Sequence, residues 1–251
     1  MAADRAARIA VLVAEQAVRR GGPVGLVDVC AAAQASLPIG GASVCAMSPA
    51  VAGYPLCSTD AAGEQLQELQ LQLGEGPSVD AFARGSTVWA PDLGADEARL
   101  RWPVFAPAAV DAGARALYSV PLQIGAISPG VLDLYAQLPL LLSPPELAEA
   151  MAFADCATLV LLNTRAADRE GLAAAFDGNP GGYCAEIDQA TGMLTGQLGV
   201  GIEEASVRLR AYAYAHDRRL SEVSADVVDR RLRFSPDVGP GPVPRAADEP
   251  P

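Results

Sequence analysis

The chain has no lysine: its 18 basic residues are all arginine. A genome whose base composition favours Ala, Gly, Pro and Arg codons explains the bias, but the chemical consequence stands whatever the cause. A Walker phosphate loop, a Schiff-base enzyme and a protein kinase each need a lysine, so these classes are excluded. A phosphoaccepting receiver domain, which also uses one, is disfavoured for the same reason. Histidine is reduced to His216 alone, and the five cysteines (Cys30, Cys45, Cys57, Cys156, Cys184) include no CxxC pair. No zinc-site spacing can be assembled from such a set, and neither metal nor cofactor is expected. Long hydrophobic runs are missing too. "LPLLLSPP" is too short to span a bilayer and ends in prolines. The opening "MAADRAARIAVLVAEQAVRR" carries charges on both sides of its apolar residues, as an amphipathic helix does and a signal peptide does not. An odd, scattered cysteine set without a secretion signal reads as reduced thiols, so a soluble cytoplasmic protein with no membrane partner is expected.

What is present is a large apolar share, 51% of 251 residues, enough for a sizeable core in one large domain or two of different size. Net charge is -12 and unevenly spread: residues 1–186 carry -10, residues 187–234 are neutral with seven arginines, and the tail 235–251 carries -2. The pattern divides the chain into an N-terminal helix at 1–19, an α+β domain at 20–170, a linker at 171–186, a small all-α module at 187–234 and a disordered tail at 235–251. In the α+β domain, "GASVCAMS", "PLCST", "STVWAPD", "ARALYSVPLQI" and "GVLDLYAQ" read as strands of an antiparallel sheet flanked by helices. Helices are expected at "AAGEQLQELQ" and at 78–84, and "LGADEARLRWPVFAPAAVDAG" reads as a loop between the third strand and the fourth. A long helix starts at the candidate N-cap Ser143, with prolines in its first turn. "DGNPGG" is the obvious linker.

In the C-terminal module three short helices present apolar stripes: Ile187, Ala190, Leu194 and Leu198; then Ile202, Ala205, Leu209 and Tyr212; then Leu220, Val223, Val227 and Val228. So thin a core invites docking or dimerisation. On the outward faces, Arg210, Tyr214 and Arg218 are spaced i, i+4, i+8, with Arg208 and Arg219 nearby and Arg230, Arg231 and Arg233 at the end of the third helix. Arginine supplies a planar donor fork for phosphate and tyrosine a face for an unstacked base, a pairing suited to RNA loops. The plainer alternative is a solvated surface with arginines complementing a helix dipole, diluted by Glu203, Glu204 and Asp217.

Ile187 to Phe234 resembles the ANTAR domain, an RNA-binding three-helix module of bacterial transcription antiterminators. The resemblance rests on "QATGM", "EEA", "LRAYA" and "EVSADVV" in that order. Ser224 stands where the family usually has alanine, and its hydroxyl is expected to bond back to the preceding turn. Residues upstream resemble a GAF domain, a small-molecule-sensing α+β fold, through "LGEGPSVDA", "RWPVFAPAAVDAGARALYSVPLQ" and "GVLDLY". These resemblances imply an RNA-binding antitermination regulator, not an enzyme, that grips stem-loops in nascent transcripts and acts as a homodimer. The expected RNA contacts are Arg208, Arg210, Tyr214, Arg218, Arg219, Arg230 and Arg231. A small-molecule ligand of the GAF-like domain would sit by Trp102, Phe105 and Tyr118, although aromatics so spaced also suit a core. Glycine-rich "LGEGP" reads as a tight turn, since acidic Glu75 argues against a phosphate cradle. Cys45 and Cys57, on neighbouring strands, are candidates to pair. The competing readings are a thiol redox enzyme on the GAF-like fold, or a small-molecule binder whose C-terminal bundle only dimerises or binds protein.

Overall fold

The computed structural model describes residues 2–47, 54–125, 127–167, 180–216, 218–235 and 241–242. The chain divides into two compact units, Met1–Pro180 and Gly181–Pro251.

The first unit is built on a five-stranded antiparallel sheet in the order β2-β1-β5-β4-β3, from β1 (Gly41–Ala46), β2 (Tyr54–Ser58), β3 (Val88–Ala90), β4 (Ala116–Ile124) and β5 (Ile127–Ala136). This is the expected α+β architecture, an antiparallel sheet flanked by helices. The central strands are covered on both faces, and strand alternation sorts their side chains. Leu132, Leu134, Tyr118 and Val120 meet α1 (Ala2–Arg20), α2 (Leu26–Ser36) and α7 (Pro144–Ala167) through Ile9, Val13, Val29, Ala33, Phe153 and Ala157. Val131, Tyr135 and Leu117 face the opposite way, towards Leu66 of α3 (Ala61–Leu73), Ala81 of α4 (Pro77–Arg84) and a group of alanines and aromatics between β3 and β4.

That last group corrects the sequence expectation. The stretch taken as a loop contains two short helices, α5 (Asp96–Arg101) and α6 (Phe105–Asp111). Each is too short to show a helical period, and Pro103 and Pro107 interrupt the pattern. Asp96 and Glu97 in the first turn of α5 and Arg99 and Arg101 in its last turn complement its dipole. Glu75, read as part of a turn, fixes α6: its Oε1 accepts the backbone N–H groups of Val104 and Phe105, both at 2.9 Å. The turn itself is real. Gly74 closes α3 in the left-handed region (φ 62°), and a Cβ on Gly76 would meet the Gln70 side chain at 2.6 Å.

At the start of α7 the expected cap takes a variant form. Glu146 Oε2 accepts both the backbone N–H of Ser143 (2.7 Å) and its hydroxyl (2.6 Å), which holds the Glu146 carboxyl below its usual range.

The second unit has three helices, α8 (Pro180–Leu198), α9 (Ile202–Ala215) and α10 (Leu220–Val228). Their buried faces are largely those the sequence indicates, with Leu194, Leu209, Leu220, Val223 and Val227 at the centre. Ile202 departs from its stripe: it is 54% exposed at the first turn of α9, and Ala213 fills the inward position instead. Gly199, left-handed at φ 68°, ends α8. The expected linker 171–186 lies mostly outside the described residues, but its last part from Pro180 is already helical, the first turns of α8. The tail 235–251 also lies mostly outside them. Within it, Gly241–Pro242 forms a two-residue strand, β7, paired with β6 (Leu232–Arg233), where disorder was expected. Phe234 is held next to β6 because its N–H donates to Gln197 Oε1 at 2.9 Å and its ring packs edge-on against Tyr212.

Candidate nucleic-acid interface

α9 is amphipathic around a narrow buried strip, Ala205, Leu209 and Ala213, so its opposite side is free to carry function. Arg210 and Tyr214 are one turn apart on the solvent side of that strip. Tyr214 is 46% exposed and Val207, one turn before Arg210, 53%. Arg210 itself is half-buried, and among the described residues its guanidinium has neither an ion pair nor a hydrogen bond. Burial lowers its pKa from the ordinary arginine value, although an arginine this basic stays charged. An uncompensated, partly desolvated cation beside an open aromatic face is the feature of this surface that asks for an anion.

The other arginines divide into two groups. Arg208 lies on a different side of α9 and is paired with Glu204 at 2.6 Å, four residues away. Arg218 does not continue the Arg210–Tyr214 line, because α9 ends at Ala215 with His216 as its C-cap. Arg218 turns instead to α10, where it donates to Asp226 Oδ2 at 2.7 Å and lies 3.8 Å from Glu222. Arg231 takes the other oxygen of the same carboxylate, Asp226 Oδ1, at 2.7 Å and also pairs with Asp229 at 2.7 Å. Arg219, Arg230 and Arg233 are exposed and form no ion pair among the described residues. Arg219 is the N-cap of α10, and Arg230 follows its C-cap. Arg230 has φ 60°, a left-handed conformation for a residue with a Cβ. The reason is the helix ending: the Arg231 N–H reaches back to Asp226 O at 2.7 Å, a wrap that glycine usually makes.

Against this geometry, residues 184–228 match the family model for the ANTAR domain. The C-terminal unit carries an ANTAR domain. A comparison with curated proteins returned no match. Among solved structures, the first unit is similar to the GAF domain of an Acinetobacter phosphoenolpyruvate-protein phosphotransferase (15% identity, 66% of this chain, 96% of that one, TM-score 0.48). It is also similar to the GAF domain of a Coxiella burnetii phosphoenolpyruvate-protein phosphotransferase (13% identity, 64% of this chain, 97% of that one, TM-score 0.46). A third is a GAF domain/HD domain protein from Geobacter sulfurreducens (13% identity, 59% and 99%, TM-score 0.43). The organisation is an α+β unit followed by an ANTAR domain. Within the latter, Ser224 behaves as its chemistry requires: it is buried, and its hydroxyl donates to Leu220 O at 2.7 Å. Asp226 is the ANTAR residue that sequence reasoning passed over. Partial burial pushes its carboxyl up, but the Arg231 and Arg218 guanidiniums outweigh that and hold it below its usual range. The available signal was its spacing, eight residues after Arg218 and five before Arg231.

In the N-terminal unit the expected ligand residues do not share a pocket. Trp102 and Phe105 are buried on the α3–α6 side of the sheet, whereas Tyr118 points to the α7 side. All three are core, and Tyr118 is tied down by donating its hydroxyl to Leu140 O at 2.7 Å. Tyr118 does border a cavity of about 110 Å³ together with Thr87, Trp89, Val120, Leu147 and Met151. On the other side of the sheet sits a buried polar cluster that the sequence analysis missed. Asp133 accepts hydrogen bonds from Ser119 Oγ (2.5 Å), Ser78 Oγ (2.5 Å) and Gln70 Nε2 (3.1 Å), and Gln70 Oε1 in turn accepts the Ser78 N–H at 2.7 Å. Burial raises the Asp133 pKa above the ordinary carboxylate value, partly offset by those three donors. The space beside it is about 10 Å³, too small for a ligand larger than water. The signal was an acidic residue at an inward position of "GVLDLY". Cys45 and Cys57, candidates to pair, are separated by the same alternation: Cys45 borders the Asp133 cluster and Cys57 packs against the other face.

Proposed function

We propose that this chain is an RNA-binding regulator of transcription antitermination, in which the ANTAR domain holds looped nucleotides of nascent-transcript hairpins and the GAF-like unit serves as a sensor. The observation that carries the reading is Arg210, a half-buried guanidinium with no counter-charge among the described residues, standing one turn from the exposed ring of Tyr214. In this proposal Arg210, Arg219 and Arg230 meet phosphates, and a flipped-out base stacks on Tyr214. Arg208, Arg218 and Arg231 contribute only by leaving their carboxylates. The chemistry is binding, not turnover. The sensor biases the RNA-competent state through a small molecule's unequal affinity for two states, or through homodimerisation, in a cytoplasmic setting. No helix among the described residues is long and apolar enough to cross a membrane.

The test is affinity for RNA stem-loops against duplex DNA of matched length, with Arg210→Ala and Tyr214→Ala. Preference for the stem-loop, lost in both variants while the folded signal by circular dichroism persists, supports the reading. Equal affinity for duplex DNA, or full RNA affinity in both variants, overturns it. Crosslinking in cells should then recover hairpins upstream of terminators.

A further inference from the structure

Although no CxxC motif exists, the fold brings two cysteines into contact. Cys30 Sγ, on α2, lies 3.3 Å from Cys57 Sγ, on β2, across 27 residues of sequence. Both thiols are free, Cys30 fully buried and Cys57 partly accessible. We propose that Cys30 and Cys57 are a redox modification site, which a hydroperoxide converts to an intramolecular disulfide that staples β2 to α2.

Three features of the site support this. The separation must close from 3.3 Å to the ~2.05 Å of a disulfide bond, a movement of little more than an ångström. The flexible partner is available: β2 is an edge strand with a single neighbour, and its pairing with β1 already contains a register shift between Val44 and Cys45. The two thiols are also unequal. Contact with Cys57 and burial hold the Cys30 thiol well above its usual pKa, so it stays protonated and shielded, whereas Cys57 is the sulfur a small oxidant can reach.

The chemistry then runs in two steps. Cys57 sulfur attacks the hydroperoxide, forming an S–O bond as the O–O bond breaks. The alcohol (water, if the oxidant is hydrogen peroxide) leaves, and Cys57 is a sulfenic acid. Cys30 sulfur attacks that sulfur, the S–S bond forms, the S–O bond breaks, and hydroxide departs with the Cys30 proton as water. Two thiols have lost two electrons to one peroxide. A thiol reductant reverses the bond by exchange.

The experiment treats the full-length protein with hydrogen peroxide under native conditions, blocks remaining thiols by alkylation, and maps peptides without reduction. The expected result is a Cys30–Cys57 cross-linked peptide, a fall of two in the five titratable thiols, and a melting temperature several degrees higher that returns on reduction. In Cys30→Ser, Cys57 should be trapped as a dimedone adduct, and neither the thiol pair nor the shift should appear. Cys45→Ser should behave as the parent. Peroxide that leaves all thiols titratable, or that yields only Cys57 sulfinic acid or disulfides through other cysteines, overturns the proposal.

Discussion

Replacing Asp226 by asparagine should strengthen RNA binding, although it removes two ion pairs. Asp226 shares its two oxygens between Arg218 and Arg231, each at 2.7 Å, so in the folded protein it neutralises two of the cations expected to contact RNA. Each arginine that neutralises a phosphate of single-stranded RNA adds ~0.7 to the slope of log K against log salt, because a condensed counterion is released. Among the described residues Arg210 has no counter-charge to leave, so Arg210→Ala should flatten the slope by that full ~0.7. Arg218 differs. To reach phosphate it must strip itself from Asp226, which then recruits a cation in its place, and the net release is close to zero. Arg218→Ala should therefore flatten the slope by well under half as much. A partly exposed pair such as Arg218–Asp226 contributes about 0.2–1 kcal/mol, so freeing Arg218 should tighten binding roughly 1.4- to 5-fold. Asp226→Asn should also steepen the slope by up to ~0.7 as Arg218 leaves the more distant Glu222 (3.8 Å), or by up to ~1.4 if Arg231 leaves Asp229 as well. Because its folded pKa is depressed, Asp226 is ionised at neutral pH. Its stabilising effect is present above the unfolded value near ~3.9 and is lost only as pH falls through the folded one, so neutral pH is the right place to test it. The assay is fluorescence anisotropy of a labelled stem-loop across a salt series, after a melt shows the variant folded. If Arg218→Ala flattens the slope as much as Arg210→Ala, and Asp226→Asn leaves it unchanged, the reasoning is wrong.

Three further outcomes are expected. Arg230→Gly should separate binding from stability: it relieves a positive φ and so should leave stability unchanged or raise it by up to ~1 kcal/mol, read as a melting temperature that holds or rises, while RNA affinity falls; unchanged affinity would remove Arg230 from the interface. Glu75→Ala should destabilise the N-terminal unit by about 1 kcal/mol in denaturant titration, since two N–H groups at the start of α6 lose their acceptor. For Asp133 the folded pKa is raised, so the stability it contributes is fully present below the unfolded value near ~3.9 and is lost as pH rises through the folded one. Ser119→Ala, which removes a donor to that buried carboxylate, should cost ~1–3 kcal/mol at neutral pH and push the window higher. A melting-temperature profile against pH that Asp133→Asn leaves unaltered would refute this.

The missing lysines, the lone histidine and the absence of CxxC spacing exclude whole chemistries without any coordinates. The periodicities of β4 and β5 and of α8, α9 and α10 are carried by the sequence itself, since burial of an apolar face writes its own spacing. The short helices α5 and α6 are not legible, because a helix of one or two turns completes no period and α6 is fixed by Glu75, some thirty residues away. The candidate interface was half legible. Arg210 and Tyr214 lie on a single helix, where spacing dictates a shared side. The extrapolation to Arg218 fails because α9 stops before reaching it.

Sequence thus determined the composition of the surface: which cations exist, that tyrosine stands among them, and that the N-terminal unit is a sheet covered by helices. Only the folded structure decided which of those charges are spent, because pairing depends on distances between helix ends that no linear spacing encodes. Asp226 reaches Arg218 across a turn, and Cys30 meets Cys57 across a sheet edge, while strand alternation parts Cys45 from Cys57 by sending neighbouring side chains to opposite faces.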